Sequence, residues 1–272
     1  MAAMNEGRDD GARPLLACED VSKHYGAMAA VSRLSLDVRP GEVLGIGGPN
    51  GAGKTTLFDV ITGLTAPDQG RVMFDGRDVT KASPQALCHM GLVRTFQLNA
   101  GYDTLTAREN VLVGAYFGQR NIVIPGFRVS AQAKRRAEDA MDLVGLADVR
   151  NAIVKNLPVY QRKLLMMASA LASEPKLLMM DEPVGGLNPH EIDDVMKLVE
   201  RVRRSGVTIV LIEHVMRFLV ALSDRVMIMH HGEKIYEGSS EGLVRDKTVV
   251  EVYLGAGASQ RLKHLIEERR AR

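Results

Sequence analysis

Residues Gly48 to Thr56 read GPNGAGKTT, and no other stretch limits the fold so tightly. They match the pattern G-x-x-x-x-G-K-[ST]. A short buried strand, Glu42 to Ile46, precedes the match, and a helical pattern from about Gly53 to Thr62 follows it. That strand–loop–helix context gives the pattern its meaning. Glycines let the backbone curl until successive N–H groups point at one place, which suits phosphate oxygens. The helix N-terminus adds a dipole of the right sign. In such a loop Lys54 reaches the β- and γ-phosphates and the Thr55 hydroxyl coordinates Mg²⁺. Asn50, Gly51, Gly53, Lys54, Thr55 and Thr56 are therefore the candidate nucleotide contacts. The competing reading, a glycine-rich turn with no ligand, does not account for the flanking strand and helix. The loop alone does not choose between ATP and GTP.

Two acids stand where such a loop needs them. Leu177 to Met180 is an apolar strand that ends in Asp181-Glu182-Pro183. Strand ends beside a phosphate loop are where α/β sheets place ligand chemistry. Asp181 is the candidate Mg²⁺ carboxylate and Glu182 the candidate general base for an attacking water. The plainer reading is that Asp-Glu-Pro only caps the next helix. His214 lies just past a further buried strand, placed to donate to a γ-phosphate and orient the water. The pair His230-His231 is set aside as a metal site, because neighbouring strand residues point to opposite faces and His-Gly-Glu reads as a hairpin turn.

The rest of the chain fits an α/β domain. Strands are expected over Leu15–Val21 and Val31–Val38, with a turn near Tyr25-Gly26, and over Arg71–Asp75. Lys176–Met180, Val207–Ile212 and Arg225–Met229 are nearly continuous apolar runs, as parallel strands buried on both faces require. Between them, from about Thr106 to Asn156, the pattern turns helical. A helix is expected over Lys134–Val144, stopped by Gly145, with a loop at Pro125-Gly126. A hairpin is expected over Gly232–Gly238 and a helix over Ser259–Arg272, docked on the protein's own body, with a membrane-surface or partner-binding helix as the alternative. The domain reading is a disordered tail over residues 1–13, an ATPase domain over 14–255 with a helical subdomain inserted at about 98–173, and a helical tail over 256–272.

A chain of 272 residues with 46% hydrophobic content can bury a sizeable core. A net charge of +2 argues against a general nucleic-acid binder. No run reaches the 18 or more apolar residues of a membrane span, and the leader lacks the apolar core of a secretory signal. Cys18 and Cys88 belong to no C-x-x-C pair and read as free thiols.

Taken together these residues resemble the ATP-binding subunits of ABC transporters, over nearly the whole chain. The narrower likeness is to the ATPases of branched-chain amino-acid importers. It is carried by Val93-Arg-Thr-Phe-Gln97, Gly185-Gly-Leu-Asn188-Pro189, Ile212-Glu-His-Val-Met216 with Ser223-Asp-Arg225, and Glu251-Val-Tyr-Leu-Gly255. The resemblance implies a P-loop NTPase of ABC type: a mainly parallel core sheet, an antiparallel β subdomain and a helical subdomain. It assigns Tyr25 to stacking on adenine, which favours ATP. It assigns Gln97 to sensing Mg²⁺ and touching a transmembrane partner, Glu182 to catalysis and His214 to the switch. Asn188 stands where the dimer-contacting loop often has aspartate. Implied partners are permease subunits, a second ATPase chain and, indirectly, a periplasmic binding protein. The implied location is the cytoplasmic face of the inner membrane. Branched-chain amino acids, amides, urea and aromatic acids are all compatible as the transported solute, and the import direction rests on resemblance alone.

One stretch departs from the family. The slot of the Leu-Ser-Gly-Gly-Gln-like signature holds Leu157-Pro158-Val159-Tyr160-Gln161, ahead of a helix expected over Lys163–Ser173. In the family this tip acts in trans, capping the γ-phosphate on the partner chain's loop. Pro158 has neither a hydroxyl nor an N–H, and Tyr160 replaces a glycine. The expectation is a heterodimer in which the partner's tip completes this chain's own site. The alternatives are a tolerated variant, a nucleotide-gated regulatory subunit with little hydrolysis, and a soluble ABC protein of repair or translation. The last usually carries a coiled-coil insertion or two fused ATPase domains, and this chain has neither.

Overall fold

The computed structural model describes residues 13–95, 101–118 and 129–254. Gln97, the Pro125-Gly126 loop, residues 1–12 and the Ser259–Arg272 helix lie outside that range.

Alternation builds the first hairpin. β1 (Leu16–Tyr25) pairs antiparallel with β2 (Met28–Val38), from Leu16 opposite Val38 to Tyr25 opposite Met28. Next come β3 (Val43–Gly47), α1 (Lys54–Ile61), β4 (Gln69–Phe74) and the two-residue β5 (Arg77–Asp78). β4 adds to β1 and β5 to β4, so the antiparallel sheet runs β2-β1-β4-β5. The chain continues through α2 (Pro84–Met90), β6 (Leu92–Thr95), α3 (Ala107–Phe117), α4 (Ala131–Val144), α5 (Val159–Leu171) and β7 (Leu177–Asp181). It closes with α6 (Pro189–Arg204), β8 (Thr208–Ile212), α7 (Met216–Leu222), β9 (Arg225–His230) and β10 (Glu233–Gly238), then two short helical turns and a π-turn over Val250–Leu254. The second sheet has the order β10-β9-β3-β8-β7-β6 and is parallel except at β10. The fold is thus α/β, with a mainly parallel core sheet, an antiparallel sheet and a helical section.

Both faces of the parallel sheet are buried, and the two-residue strand period sorts its side chains between two cores. Leu177, Met179, Val210, Ile212, Met227 and Met229 join α1 and the antiparallel sheet on one face. Leu178, Met180, Ile209, Leu211, Val226 and Ile228 join α3 to α7 on the other. Cys18 and Cys88 are free, and burial pushes the Cys18 thiol up to about 12.

The helical section packs through small residues. Ala107, Ala115, Ala133, Ala137, Ala140 and Ala168 are all buried in one cluster. At Gly114 an added Cβ would stand 2.2 Å from the Ser169 carbonyl oxygen, so α3 and α5 touch backbone to backbone. α4 starts three residues before the expected Lys134, because the Ser130 hydroxyl caps the Ala133 N–H, and it stops at Gly145 with φ +80°. α5 starts four residues before the expected Lys163. Pro158 sits at its N-cap, where φ −57° and ψ 158° suit the proline ring.

Candidate nucleotide site

The carboxyl ends of β3, β7 and β8 lie side by side, with Ile46 opposite Ile212 and Asp181 opposite Ile212. The phosphate loop, the paired acids and His214 follow directly from these ends. The loop after β3 is shaped by two glycines. Gly48 has φ +141°, and a Cβ there would stand 2.2 Å from the Met229 carbonyl oxygen. Gly53 has φ +96°, and its Cβ would stand 2.0 Å from the Ala30 carbonyl oxygen. Asn50 and Gly51 form the exposed tip. α1 makes its first bond from Leu57 N–H to Gly53, so the N–H groups of Lys54, Thr55 and Thr56 have no acceptor inside the helix. Lys54 is buried and folds back on its own loop, donating to the carbonyls of Gly48 at 2.8 Å and Pro49 at 2.9 Å. Burial lowers its pKa, against the pull of Glu182 and Asp181.

Asp181 is 5% exposed. Its Oδ2 accepts from Arg94 Nη2 at 2.7 Å, and Arg94 Nη1 reaches Asp59 Oδ1 at 2.6 Å. The other oxygen, Oδ1, is buried and accepts no hydrogen bond from a described residue. An acceptor-only oxygen stranded beside a phosphate loop fits a cation. Thr55, exposed at the start of α1, offers a hydroxyl of the same hard-oxygen kind. Glu182 follows with φ +48°, a left-handed backbone rare for its residue type. Its Oε1 lies 3.8 Å from His214 Nδ1, so the structure brings these two together. Tyr25 ends β1 with its ring half exposed, and Lys23 Nζ lies 5.8 Å from its centroid. Opposite Tyr25, exposed Met28 adds an apolar surface that the sequence did not flag.

The divergent tip has a definite shape. Leu157 is buried, while Pro158 and Val159 are exposed. Tyr160 does not stand out from the tip. It packs on the core, where burial raises its pKa and Asp194 and Glu191 of α6 add to the effect. Gln161 is half-buried. Arg162 N–H bonds back to Pro158, leaving the N–H groups of Val159, Tyr160 and Gln161 open at the helix end. Asn188 caps α6, accepting from His190 and Glu191 N–H.

His231 sits in the β9–β10 turn with φ +48°, where the His-Gly-Glu reading places it, but its ring centroid lies 3.9 Å from that of His230, so the two do not point to opposite faces of a strand. The hairpin itself forms as expected. No group of three metal-ligating side chains occurs among the described residues. Sequence reasoning missed Arg94 and Glu213. Both lie inside quoted motifs, but a charge next to an apolar strand carries no sign of its burial.

Residues 31–185 match the ABC transporter family. The chain is 31% identical to the probable branched-chain amino acid transport ATP-binding protein LivG of Archaeoglobus fulgidus, over 90% of this chain and 97% of that one. It is 32% identical to the high-affinity branched-chain amino acid transport ATP-binding protein BraF of Pseudomonas aeruginosa, over 89% and 98%. A solved ATP-binding cassette of an ABC transporter, in its ADP conformation, superposes with a TM-score of 0.81 at 31% identity, covering 90% of this chain and 100% of that one. With its phosphate loop, paired acids and strand-end histidine gathered at the carboxyl ends of three adjacent strands, the chain belongs to the ABC transporter family as an ATP-binding cassette, an ATPase.

Proposed function

We propose that this chain is the ATP-hydrolysing subunit of an importer, driving uptake of a small polar solute such as a branched-chain amino acid through separate permease subunits. It works at the cytoplasmic face of the inner membrane, and a periplasmic binding protein delivers the solute. The observation that carries the reading is the meeting of Glu182 and His214 at 3.8 Å, at the strand ends beside Lys54 and Asp181. The names of the relatives supply the solute class.

Each residue has a physical task. The exposed face of Tyr25 stacks on adenine. The N–H groups of the loop and of Lys54 to Thr56 hold the phosphate oxygens, and Lys54 exchanges its carbonyl partners for the β- and γ-phosphates. Asp181 Oδ1, Thr55 and Gln97 would hold Mg²⁺, which neutralises the charge on the phosphate oxygens when bound. Glu182 takes the proton of the attacking water. His214, 54% exposed at its side chain, donates to the γ-phosphate and fixes the water's line of approach. A groove of about 620 Å³ lined by Cys88, Tyr102, Phe117 and Met166 is the seat for a permease segment.

The tip of α5 decides the pairing. Pro158 removes a hydroxyl, and losing one charge-stabilising donor costs about 10²–10³ in rate. The three open N–H groups behind it remain. The damage falls on the partner's nucleotide, so a second cassette with an ordinary tip leaves one full site, built on Lys54, Glu182 and His214. The same proline favours a second reading, a regulatory cassette that closes on ATP and scarcely hydrolyses it.

ATP turnover by the purified chain, followed across protein concentration with Glu182→Gln as control, separates these. The expected result is ATP binding with weak turnover, restored by the second cassette and abolished in the variant. Full turnover by the chain alone would overturn the heterodimer. Binding with no turnover in any assembly would support the regulatory reading.

A further inference from the structure

The segments that carry the catalytic groups meet at a side chain outside the nucleotide contacts. Glu213 follows β8 and is fully buried. Its Oε1 accepts from Val184 N–H at 2.9 Å, two residues past Glu182. Its Oε2 accepts from His214 N–H at 3.1 Å and Val215 N–H at 3.2 Å. Its own N–H donates to the Ile46 carbonyl, just ahead of the phosphate loop, at 3.2 Å. Beside it, buried Lys163 donates from α5 to the Glu182 carbonyl at 2.9 Å, and Lys163 is drawn electrostatically to both Glu213 and Glu182.

This arrangement does more than fill space. A carboxylate accepts and cannot donate, and here three N–H groups from two separate segments converge on one. An apolar residue of similar size would leave all three without an acceptor in a dry interior. Glutamine would turn one of its two contacts from acceptor to donor, and losing either contact breaks the link through which the two segments hold each other. The chemistry therefore calls for glutamate at a fully buried place, 3.8 Å from the His214 ring. Lys163 extends the same network to the helix whose tip faces the partner cassette.

We propose that Glu213 is a positioning residue: its carboxylate straps the segment carrying Glu182 to the segment carrying His214, and Lys163 ties that strap to α5. The assignment rests on the ATPase reading, in which Glu182 and His214 work as a pair. Its consequence is that a shift of α5 against the partner's nucleotide pulls on the Glu182 carbonyl of the chain's own site. The two composite sites of a dimer are then linked through Lys163.

The test uses Glu213→Gln and Lys163→Met in the full chain. Three quantities are read: affinity for a fluorescent ATP analogue, amide exchange over residues 182–187 and 213–217, and turnover in whichever assembly is active. For Glu213→Gln, exchange should rise by about tenfold or more in both segments together while the remaining core keeps its protection. Affinity should stay within about threefold and saturated turnover fall by about tenfold or more. For Lys163→Met, exchange should rise over 182–187 alone, with the same split between affinity and turnover. A general loss of protection, a rise confined to 213–217, or saturated turnover within about twofold of the parent would overturn the strap. If Glu213→Gln does not fold, Lys163→Met decides alone, and unchanged exchange over 182–187 overturns the tie. Absence of analogue binding by the parent chain would instead sink the ATPase reading, and the exchange pattern would still judge the strap.

Discussion

Glu182 stands on a backbone of φ +48°, a conformation that costs a non-glycine residue about 1–3 kcal/mol. Its N–H is held by the Ile212 carbonyl at 3.0 Å, and Val184 is held by Glu213. The strain is thus fixed from both sides, and it aims the carboxylate at His214. The phosphate loop shows the same residue-level logic in its glycines. Gly51 has φ +79° and open space around it, whereas Gly53 has φ +96° and the Ala30 carbonyl in the way. Gly51→Ala should cost about 1 kcal/mol or slightly more, from conformation alone. Gly53→Ala should cost clearly more in urea denaturation and also weaken ATP binding, because the loop must shift. Lys54, Asp181, Glu182 and His214 were legible in the sequence because motif and strand context fix their places. Glu213 and Arg94 were not, since nothing in a linear pattern shows that a charge beside a strand turns inward.

Caps set the element boundaries, and the sequence revealed them unevenly. Ser130 and Gly145 bracket α4 within three residues of the expected limits. The start of α5 came out four residues late, because Val159 and Tyr160 lack helical periodicity against the proline before them. Asn188 shows why asparagine and aspartate exchange easily in its loop. Its side chain accepts from His190 and Glu191 while Glu191 returns a carboxylate to its N–H, and either residue type caps a helix in this way. Asn188→Ala should therefore cost about 1 kcal/mol, read as a lower urea midpoint at unchanged slope. Asn188→Asp should leave the midpoint nearly unmoved.

At the scale of the whole molecule, the two-face burial of the parallel strands was visible in their unbroken apolar runs. The strand order was not, because β3 is seated between β8 and β9 by contacts far apart in sequence. One tie between the two sheets is ionic. Lys176, ahead of β7, bonds Asp75 in the turn after β4 at 2.7 Å and, as the largest cause, lowers the Asp75 pKa. A depressed carboxylate contributes stability that is present above its ordinary value of 3.8 and lost as pH falls through the depressed one. The stability difference between the parent and Asp75→Asn, followed by urea denaturation, should hold from neutrality down to about pH 4 and vanish below it.

The exposure of Pro158 and Val159 has a consequence for descent. Behind them, Lys163, Leu164 and Leu165 are buried and answer to the core, while the two tip residues are exposed and do not. After a gene duplication, one copy is free to drift at this tip without loss of folding or of its own nucleotide pocket. In the heterodimer proposed above, the other copy would then come under sole selection to keep the signature, a mutual dependence built from changes that neither monomer registers.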